Sequence, residues 1–381
     1  MKTESNRPRT VKIDADRFET SPYFEFYTDA DTVFGVAAGR YYAADLGEDP
    51  VASYWALRRE ALLFDVPEKP WQIEGPDALA FLEKIFARRI DTLPTGRGRY
   101  ALACTPEGGT FMDGILFRQA EDRYWYVQAD GAFRDWMTAH QAGYDIEISD
   151  PRSRVLQLQG PRSMDIIRDA SDGAIDGDLG YFGAGFYPIG GQDLYVSRTG
   201  WTGELGYEIY SLGDTTDHRK LWHDLFTAGA AHGMQLGSLN AIGMRRIEAG
   251  ILDAGSDFDS SVTPFQAGLG AFVDLDKPDF VGRSALIDAD RHNRLFGLKC
   301  RTRAPQRGDE VLDGDRVVGR MSAGAWSPQL ECGIGYVRFD FAADWLGQKL
   351  TLGGHDRGRT EGEITTLPFY AVSYTHLTLP T

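Results

Sequence analysis

Cysteine is scarce in this sequence: Cys104, Cys300 and Cys332 stand far apart. Without close pairs there is no zinc-ligand spacing and no disulfide framework, and a reducing, cytoplasmic setting is expected. Long apolar runs are also missing. No stretch approaches the roughly 18 residues that span a bilayer. The start, Met1-Lys2-Thr3-Glu4-Ser5-Asn6-Arg7, has no apolar signal-peptide core, so neither export nor membrane insertion is expected. Positive charge is in deficit, with 40 Lys plus Arg against 56 Asp plus Glu and a net charge of −16. That balance opposes binding to nucleic acid or an anionic membrane, and an anionic ligand would need a locally basic pocket. His140, His218, His223, His232, His292 and His355 are scattered and show no metal-ligand spacing. G-x-S-x-G, G-x-x-x-x-G-K-[ST] and G-x-G-x-x-G are all absent, which removes the serine-hydrolase, phosphate-loop and dinucleotide readings.

What is present is ordinary globular composition, 42% hydrophobic and 25% charged over 381 residues, enough for two or three domains. Residues 1–50 read as an irregular lead-in whose aromatics, Tyr23, Phe24, Phe26 and Tyr27, pack on the main body. A strand at Trp71–Glu74 runs through Gly75-Pro76 into a helix carrying Leu79, Leu82, Ile85 and Phe86, with Pro76 suited to its first turn. The phrase returns at Leu156–Gln159, Gly160-Pro161 and Met164, Ile166, Ile167, so a duplicated strand–Gly-Pro–helix unit is expected; chance Gly-Pro turns are the alternative. Between them the pattern predicts strands at Tyr100–Cys104, Thr110–Arg118 and Tyr124–Gln128 and a helix at Gly131–Ala142. Strands at Leu194–Ser197 and Gly206–Tyr210 and helices at Thr215–His232 and Leu239–Ala249 follow. From Leu295 to Tyr370, short strands between Gly and Asp turns predict an all-β barrel or sandwich. Residues 371–381 carry almost no charge and read as a non-native tail, or else as a genuine flexible one. The expected divisions are therefore 1–50, 51–290, 295–370 and 371–381.

Three segments could carry chemistry. On a strand over 110–118, Phe111, Asp113, Ile115 and Phe117 share one face. A carboxylate in that apolar row is costly to bury ionised. It is either a ligand anchor with a shifted pKa or an edge position satisfied by solvent or backbone. Arg198-Thr199-Gly200-Trp201-Thr202-Gly203-Glu204-Leu205-Gly206-Tyr207-Glu208 is either a Gly-rich hairpin or a cradle for a flat ligand. In the second case Trp201 stacks and Glu204 accepts paired N–H donors. Arg245-Arg246, before Gly250, either meet an anion or oppose the helix dipole.

The segment from Arg198 to Glu208 resembles the R-T-G-[YW]-T-G-E-x-G-[FVY]-E signature of the glycine-cleavage T-protein (aminomethyltransferase) family. Leu63-Phe64-Asp65-Val66, Gly108-Gly109-Thr110-Phe111-Met112-Asp113, Arg246-Ile247-Glu248-Ala249-Gly250 and Thr263-Pro264-Phe265-Gln266-Ala267-Gly268-Leu269 follow in the family's order. Arg303-Ala304-Pro305-Gln306-Arg307 and Leu367-Pro368-Phe369-Tyr370 lie in the C-terminal part. The resemblance spans roughly residues 50–370. It implies an α+β, folate-binding aminomethyltransferase fold of three subdomains around a channel, with a C-terminal all-β barrel.

By position, the resemblance implies that Asp113 lies near the reacting folate nitrogen. Glu204 would hold the pterin, with Trp201 as its aromatic neighbour. Arg307 would lie near the folate, Gln128 would stand in for a strand-end Asn, and Arg245 would help offset the glutamate tail. The implied activity is tetrahydrofolate-dependent transfer of a one-carbon unit from a small methyl or aminomethyl donor to N5. A lipoyl carrier or a flavoprotein is a candidate partner. Pro67-Glu68-Lys69 replaces the family's S-H-[ML], Met112-Asp113 its paired acids, Ala241-Ile242-Gly243 its A-R-D, and Gln266 its Glu. These departures, with Tyr54-Trp55-Ala56-Leu57 and Asp122-Arg123-Tyr124-Trp125, are more similar to the folate-dependent demethylases. The alternative is a non-catalytic folate-binding regulatory or assembly module, whose relatives carry a K-G-C-[YF] element absent here.

Overall fold

The computed structural model describes residues 15–354 and 358–370. The tail at 371–381 and His355 lie outside the described residues. Two central sheets, a small hairpin and a barrel account for the strands. In chain order the elements open with β1 (Val33–Ala37), β2 (Arg40–Asp45), α1 (Pro50–Arg59), β3 (Leu62–Val66), β4 (Lys69–Glu74) and α2 (Ala78–Ile85). Next come β5 (Arg97–Cys104), β6 (Thr110–Arg118), β7 (Arg123–Gln128), α3 (Phe133–Ala139), β8 (Glu147–Ser149), β9 (Val155–Gln159) and α4 (Ser163–Ala170). Then follow β10 (Ala184–Ile189), β11 (Gln192–Ser197), β12 (Gly206–Tyr210), α5 (His218–Ala230), β13 (Gln235–Leu236), α6 (Leu239–Glu248) and α7 (Arg283–Ile287). The last six strands are β14 (Leu295–Cys300), β15 (Glu310–Asp313), β16 (Arg316–Ser327), β17 (Cys332–Phe339), β18 (Lys349–Gly354) and β19 (Gly358–Thr365).

The first sheet runs β5-β6-β7-β4-β8 and the second β10-β11-β12-β9-β3-β13. The duplicated unit is present, once in each sheet, as β4–α2 and β9–α4. Its glycines explain the repeat. Gly75 and Gly160 hold φ of +142° and +123°, values that strain any side chain. A Cβ on Gly75 would sit 2.4 Å from the Asp145 carbonyl oxygen, and one on Gly160 2.5 Å from that of Glu60. Each turn is thus pressed against a neighbouring backbone. α2 begins at Ala78, so Pro76 precedes the helix rather than sitting in its first turn.

Alternation along the strands decides what lies between the sheets. Leu156, Leu158, Tyr207 and Ile209 point outward into a core formed with α4 and α5. Val155 and Tyr210 point inward, where they meet Phe117, Trp125 and Val127 of the first sheet and Ala241 and Ile242 of α6. The polar side chains of Gln157 and Glu208 share that inner face.

The lead-in is less irregular than its composition predicts. It forms the β1–β2 hairpin. Tyr23, Phe26 and Tyr27 pack on the body, all stacking on Trp222 of α5, whereas Phe24 packs within the lead-in against Phe34 and Tyr41. The C-terminal strands close as a barrel, not a sandwich, in the order β14-β17-β16-β15-β18-β19. Its interior is plugged by Trp345 stacked on Phe339 at 4.2 Å between ring centroids. No described helix is long and apolar enough to cross a membrane.

Gly160→Ala should cost about 2–4 kcal/mol, combining φ strain with backbone overlap. Gly143→Ala, with φ of +91° but open space around it, should cost only about 1 kcal/mol. Urea denaturation of the two variants checks this, and equal losses would contradict the close-approach account.

Candidate functional site

β6 carries Asp113 into the space between the sheets. Its register with β5 slips: Ala103 faces Met112, but Cys104 faces Thr110. The slip leaves Phe111 in a bulge, turned to the opposite face, where its ring lies 4.4 Å from that of Trp136. The expected row of four is therefore Asp113, Ile115 and Phe117 only. The Tyr100 hydroxyl donates to Asp113 Oδ2 at 2.8 Å. Burial pushes the Asp113 carboxyl up to about 6 against that hydrogen bond, and the charges of Asp253 and Asp257 add to the rise. These two aspartates belong to the loop after α6. That loop is clipped onto the β5–β6 turn by Thr110, whose N–H donates to the Val262 carbonyl at 2.8 Å.

α6 ends in adjacent arginines that point different ways. Arg245 is fully buried. Its Nε donates to Glu204 Oε1 at 2.6 Å and its Nη1 lies 3.4 Å from Glu248 Oε2. Arg58 of α1 reaches the same Glu204 oxygen at 2.9 Å. Glu248 accepts from Tyr54, from Ser327 of the barrel and from Tyr370 beyond it. Arg246 donates to Asp257 Oδ2 at 2.6 Å and lies over the Trp201 ring at 5.1 Å from its centroid. Ser322 of the barrel donates to the other oxygen of Asp257 at 2.7 Å. Arg245 is thus enclosed and ion-paired, which removes it as a counter-charge to a ligand's glutamate tail.

The remaining expected residues separate. Gln128 is buried and spent on the fold: its Oε1 accepts from Trp71 Nε1 at 2.9 Å and its Nε2 donates to the Gly131 carbonyl at 2.6 Å. Arg307 is exposed and reaches from the barrel to the post-α6 loop, donating to the Gly255 carbonyl at 3.0 Å. Burial raises the Asp253 carboxyl, and the Arg246 and Arg307 charges oppose that rise only in part. Asp113, Trp201, Arg246, Asp253 and Arg307 therefore lie around one region, the junction of both sheets, α6 and the barrel.

Sequence reasoning missed a second polar group on the inner face of β9 and β12. Gln157 and Glu208 face each other across the pair, on the same side as Val155 and Tyr210. Glu208 accepts from Thr199 Oγ1 at 2.5 Å, from Tyr210 at 2.6 Å and from Gln157 at 2.9 Å. Burial raises its carboxyl and these bonds oppose the rise. Glu68, just after β3, accepts from the same Gln157 amide at 3.0 Å. The available signal was the period of two: Glu208 precedes Tyr210 by one alternation, whereas Glu204 lies in the turn before β12.

Residues 28–277 match the GCVT N-terminal domain, and residues 293–371 match the glycine cleavage T-protein C-terminal barrel domain. An aminomethyltransferase of Streptomyces coelicolor is 35% identical over 83% of this chain and 88% of its own length. A trimethylamine-oxide aldolase of Ruegeria pomeroyi is 33% identical over 84% of this chain, which spans only 42% of that longer protein. The structure of glycine cleavage system aminomethyltransferase T from Bartonella henselae superposes with a TM-score of 0.84 at 26% identity, covering 94% of this chain and 99% of that one.

Arg245→Met should destabilise the protein by about 3–5 kcal/mol, because it leaves Glu204 and Glu248 buried with a charge deficit. Denaturant unfolding measures it, and a loss below about 1 kcal/mol would show that Arg58 and the tyrosines suffice.

Proposed function

Because the chain belongs to the glycine-cleavage T-protein family, we propose that it is a tetrahydrofolate-dependent one-carbon transferase, moving a methyl or aminomethyl-derived unit from a small donor to N5. One observation carries this reading: Asp113 is a half-buried carboxylate on the inter-sheet face, held by Tyr100, in the region bounded by Trp201 and Arg307. The residues present suit a folate. There is an aromatic face at Trp201, acceptors on the inner face of β9 and β12, and an exposed cation at the rim to meet a carboxylate tail. Bound tetrahydrofolate supplies the nucleophilic nitrogen.

The chain's own residues do the rest. Tyr100 fixes the carboxylate of Asp113, which in its ionised form orients the N–H at the reacting centre and stabilises positive charge developing there. Confinement between the sheets converts the encounter of donor and acceptor into a reaction within one complex. Arg246 stacks on Trp201 and sets the plane against which a heterocycle lies. Glu204 was expected to take the heterocycle's hydrogen bonds. Its Oε1 is committed to Arg58 and Arg245, which anchors the Trp201 loop, and we assign its other oxygen to the N–H donors of the ring. Arg307 offsets the tail's charge.

For the donor, we favour a free methylated small molecule over a lipoyl-bound aminomethyl group. The departure at Ala241-Ile242-Gly243 supports this. Ile242, at the family's Arg position, is buried in the inter-sheet core, and Gly243, at its Asp position, has open space beside it, so neither charge is present there. The match to the aldolase relative points the same way, towards a methylated amine.

Asp113→Asn should lower kcat about 100-fold while changing tetrahydrofolate affinity less than about threefold. Wild-type activity should fall as pH drops through about 6, where Asp113 takes up its proton. The variant should lose that limb. Assays with methylamine-type and lipoyl-bound donors, resolving 5-methyl- from 5,10-methylene-tetrahydrofolate, decide both points. Wild-type kinetics in the variant would overturn the role of Asp113, and methylene product from a lipoyl carrier would overturn the donor class.

A further inference from the structure

The mechanism above leaves one buried group unused. Glu68 Oε1 accepts from Gln157 Nε2 at 3.0 Å, and the same amide nitrogen donates to Glu208 Oε1 at 2.9 Å. A single amide group therefore bridges two carboxyls. Among the described residues, Glu68 Oε2 and Gln157 Oε1 are both buried and have no hydrogen-bond partner. Most buried polar atoms find a partner, so this open donor–acceptor pair on one cluster is a candidate contact for a ligand.

No cation among the described residues pairs with this carboxyl. The charged and titratable groups that face it are Glu208 on β12, Asp65 on β3, Arg40 on β2 and Tyr210. Arg40 donates to Glu19 Oε2 at 3.0 Å and to the Glu68 backbone carbonyl at 2.8 Å, not to its side chain. The neighbouring Lys69 is paired with Glu19 and Asp150.

We propose that Glu68 acts as the protonated acid, a specificity-determining residue whose Oε2–H donates to a ring carbonyl of the bound heterocycle, while Gln157 Oε1 accepts an adjacent N–H. This rests on the folate reading, since a pterin edge carries a carbonyl next to a ring N–H. Glu208 then remains the ionised member, so the group presents one donor, one neutral acceptor and one carboxylate along the inner face. Burial and the Glu208 charge push the Glu68 carboxyl up to about 8, which keeps it protonated at neutral pH. Above that value the donor is lost and a second negative charge appears beside Glu208.

The test is anaerobic titration of tetrahydrofolate by Trp fluorescence from pH 6.5 to 9.5, on wild type, Glu68→Gln and Glu68→Leu. Infrared difference spectra of wild type against Glu68→Gln, without ligand, accompany it. Wild-type Kd should be flat to about pH 7.5 and weaken about tenfold by pH 9. Glu68→Gln keeps a donor and cannot ionise, so its Kd should be pH-independent. Glu68→Leu should bind about tenfold more weakly at pH 7. A protonated-carboxyl band at pH 7 should be present in wild type and missing from Glu68→Gln. Equal pH dependence in wild type and Glu68→Gln, full affinity in Glu68→Leu, or no such band overturns this proposal alone. A wild type that binds no tetrahydrofolate at any pH overturns the folate reading, and this proposal with it.

Discussion

Two adjacent buried arginines at the end of α6 hold the molecule together. Arg245 and Arg246 point to different partners, and each partner carries a second contact to the barrel. Arg245 reaches Glu248, which accepts from Ser327 of β16. Arg246 reaches Asp257, which accepts from Ser322 of the same strand. The carbonyls at the helix end lie 3.0–3.1 Å from the Tyr336 hydroxyl of β17. Burying these charges is costly, and only the complete set of partners offsets the cost. The barrel, α1, the Trp201 loop and the post-α6 loop are therefore tied to α6 by one charged network, beside the apolar cluster in which Ile247 meets Leu295, Ala323 and Ile334 of the barrel.

That network also builds the site. Arg246 pairs with Asp257 while lying over Trp201, so the fastening of the barrel and the orientation of the aromatic wall are one interaction. Asp257 in turn belongs to the loop whose acids raise the Asp113 carboxyl. The duplicated units supply the other half. Each sheet presents an inner face of alternating residues, and each of those faces carries polar members. Asp113 and Tyr100 lie on one side, and Gln157, Glu208 and Glu68 on the other.

Much of this was legible from residue pattern. The strand at Thr110–Arg118, the strand at Gly206–Tyr210 and the repeated Gly-Pro turn follow from period and punctuation, because local sterics decide them. The closed barrel was foreseen only as one of two options, since strand spacing does not distinguish closure from stacking. The lead-in hairpin was hidden because its strands have few buried apolar residues. At the site, Asp113 was found from its apolar neighbours, yet Phe111 was put on the wrong face by a bulge that no spacing rule reveals. Glu204, Arg245 and Gln128 are residue types that bind ligands or brace folds equally well. Only three-dimensional pairing shows Arg245 and Gln128 bracing the fold. Glu68 was visible as a departure from the family pattern, but its unpartnered oxygen emerges only once Gln157 is seen to be shared.

The account's central claim is that a tetrahydrofolate sits between the two sheets against Asp113 and Trp201. Cross-saturation or fluorine NMR on protein with 5-fluorotryptophan, titrated anaerobically with tetrahydrofolate, measures this directly. The account predicts saturable shifts of the Trp201 resonance, assigned by its loss in Trp201→Phe, with the surface Trp326 resonance unmoved. Binding that shifts Trp326 and leaves Trp201 untouched, or no binding at all, would contradict it.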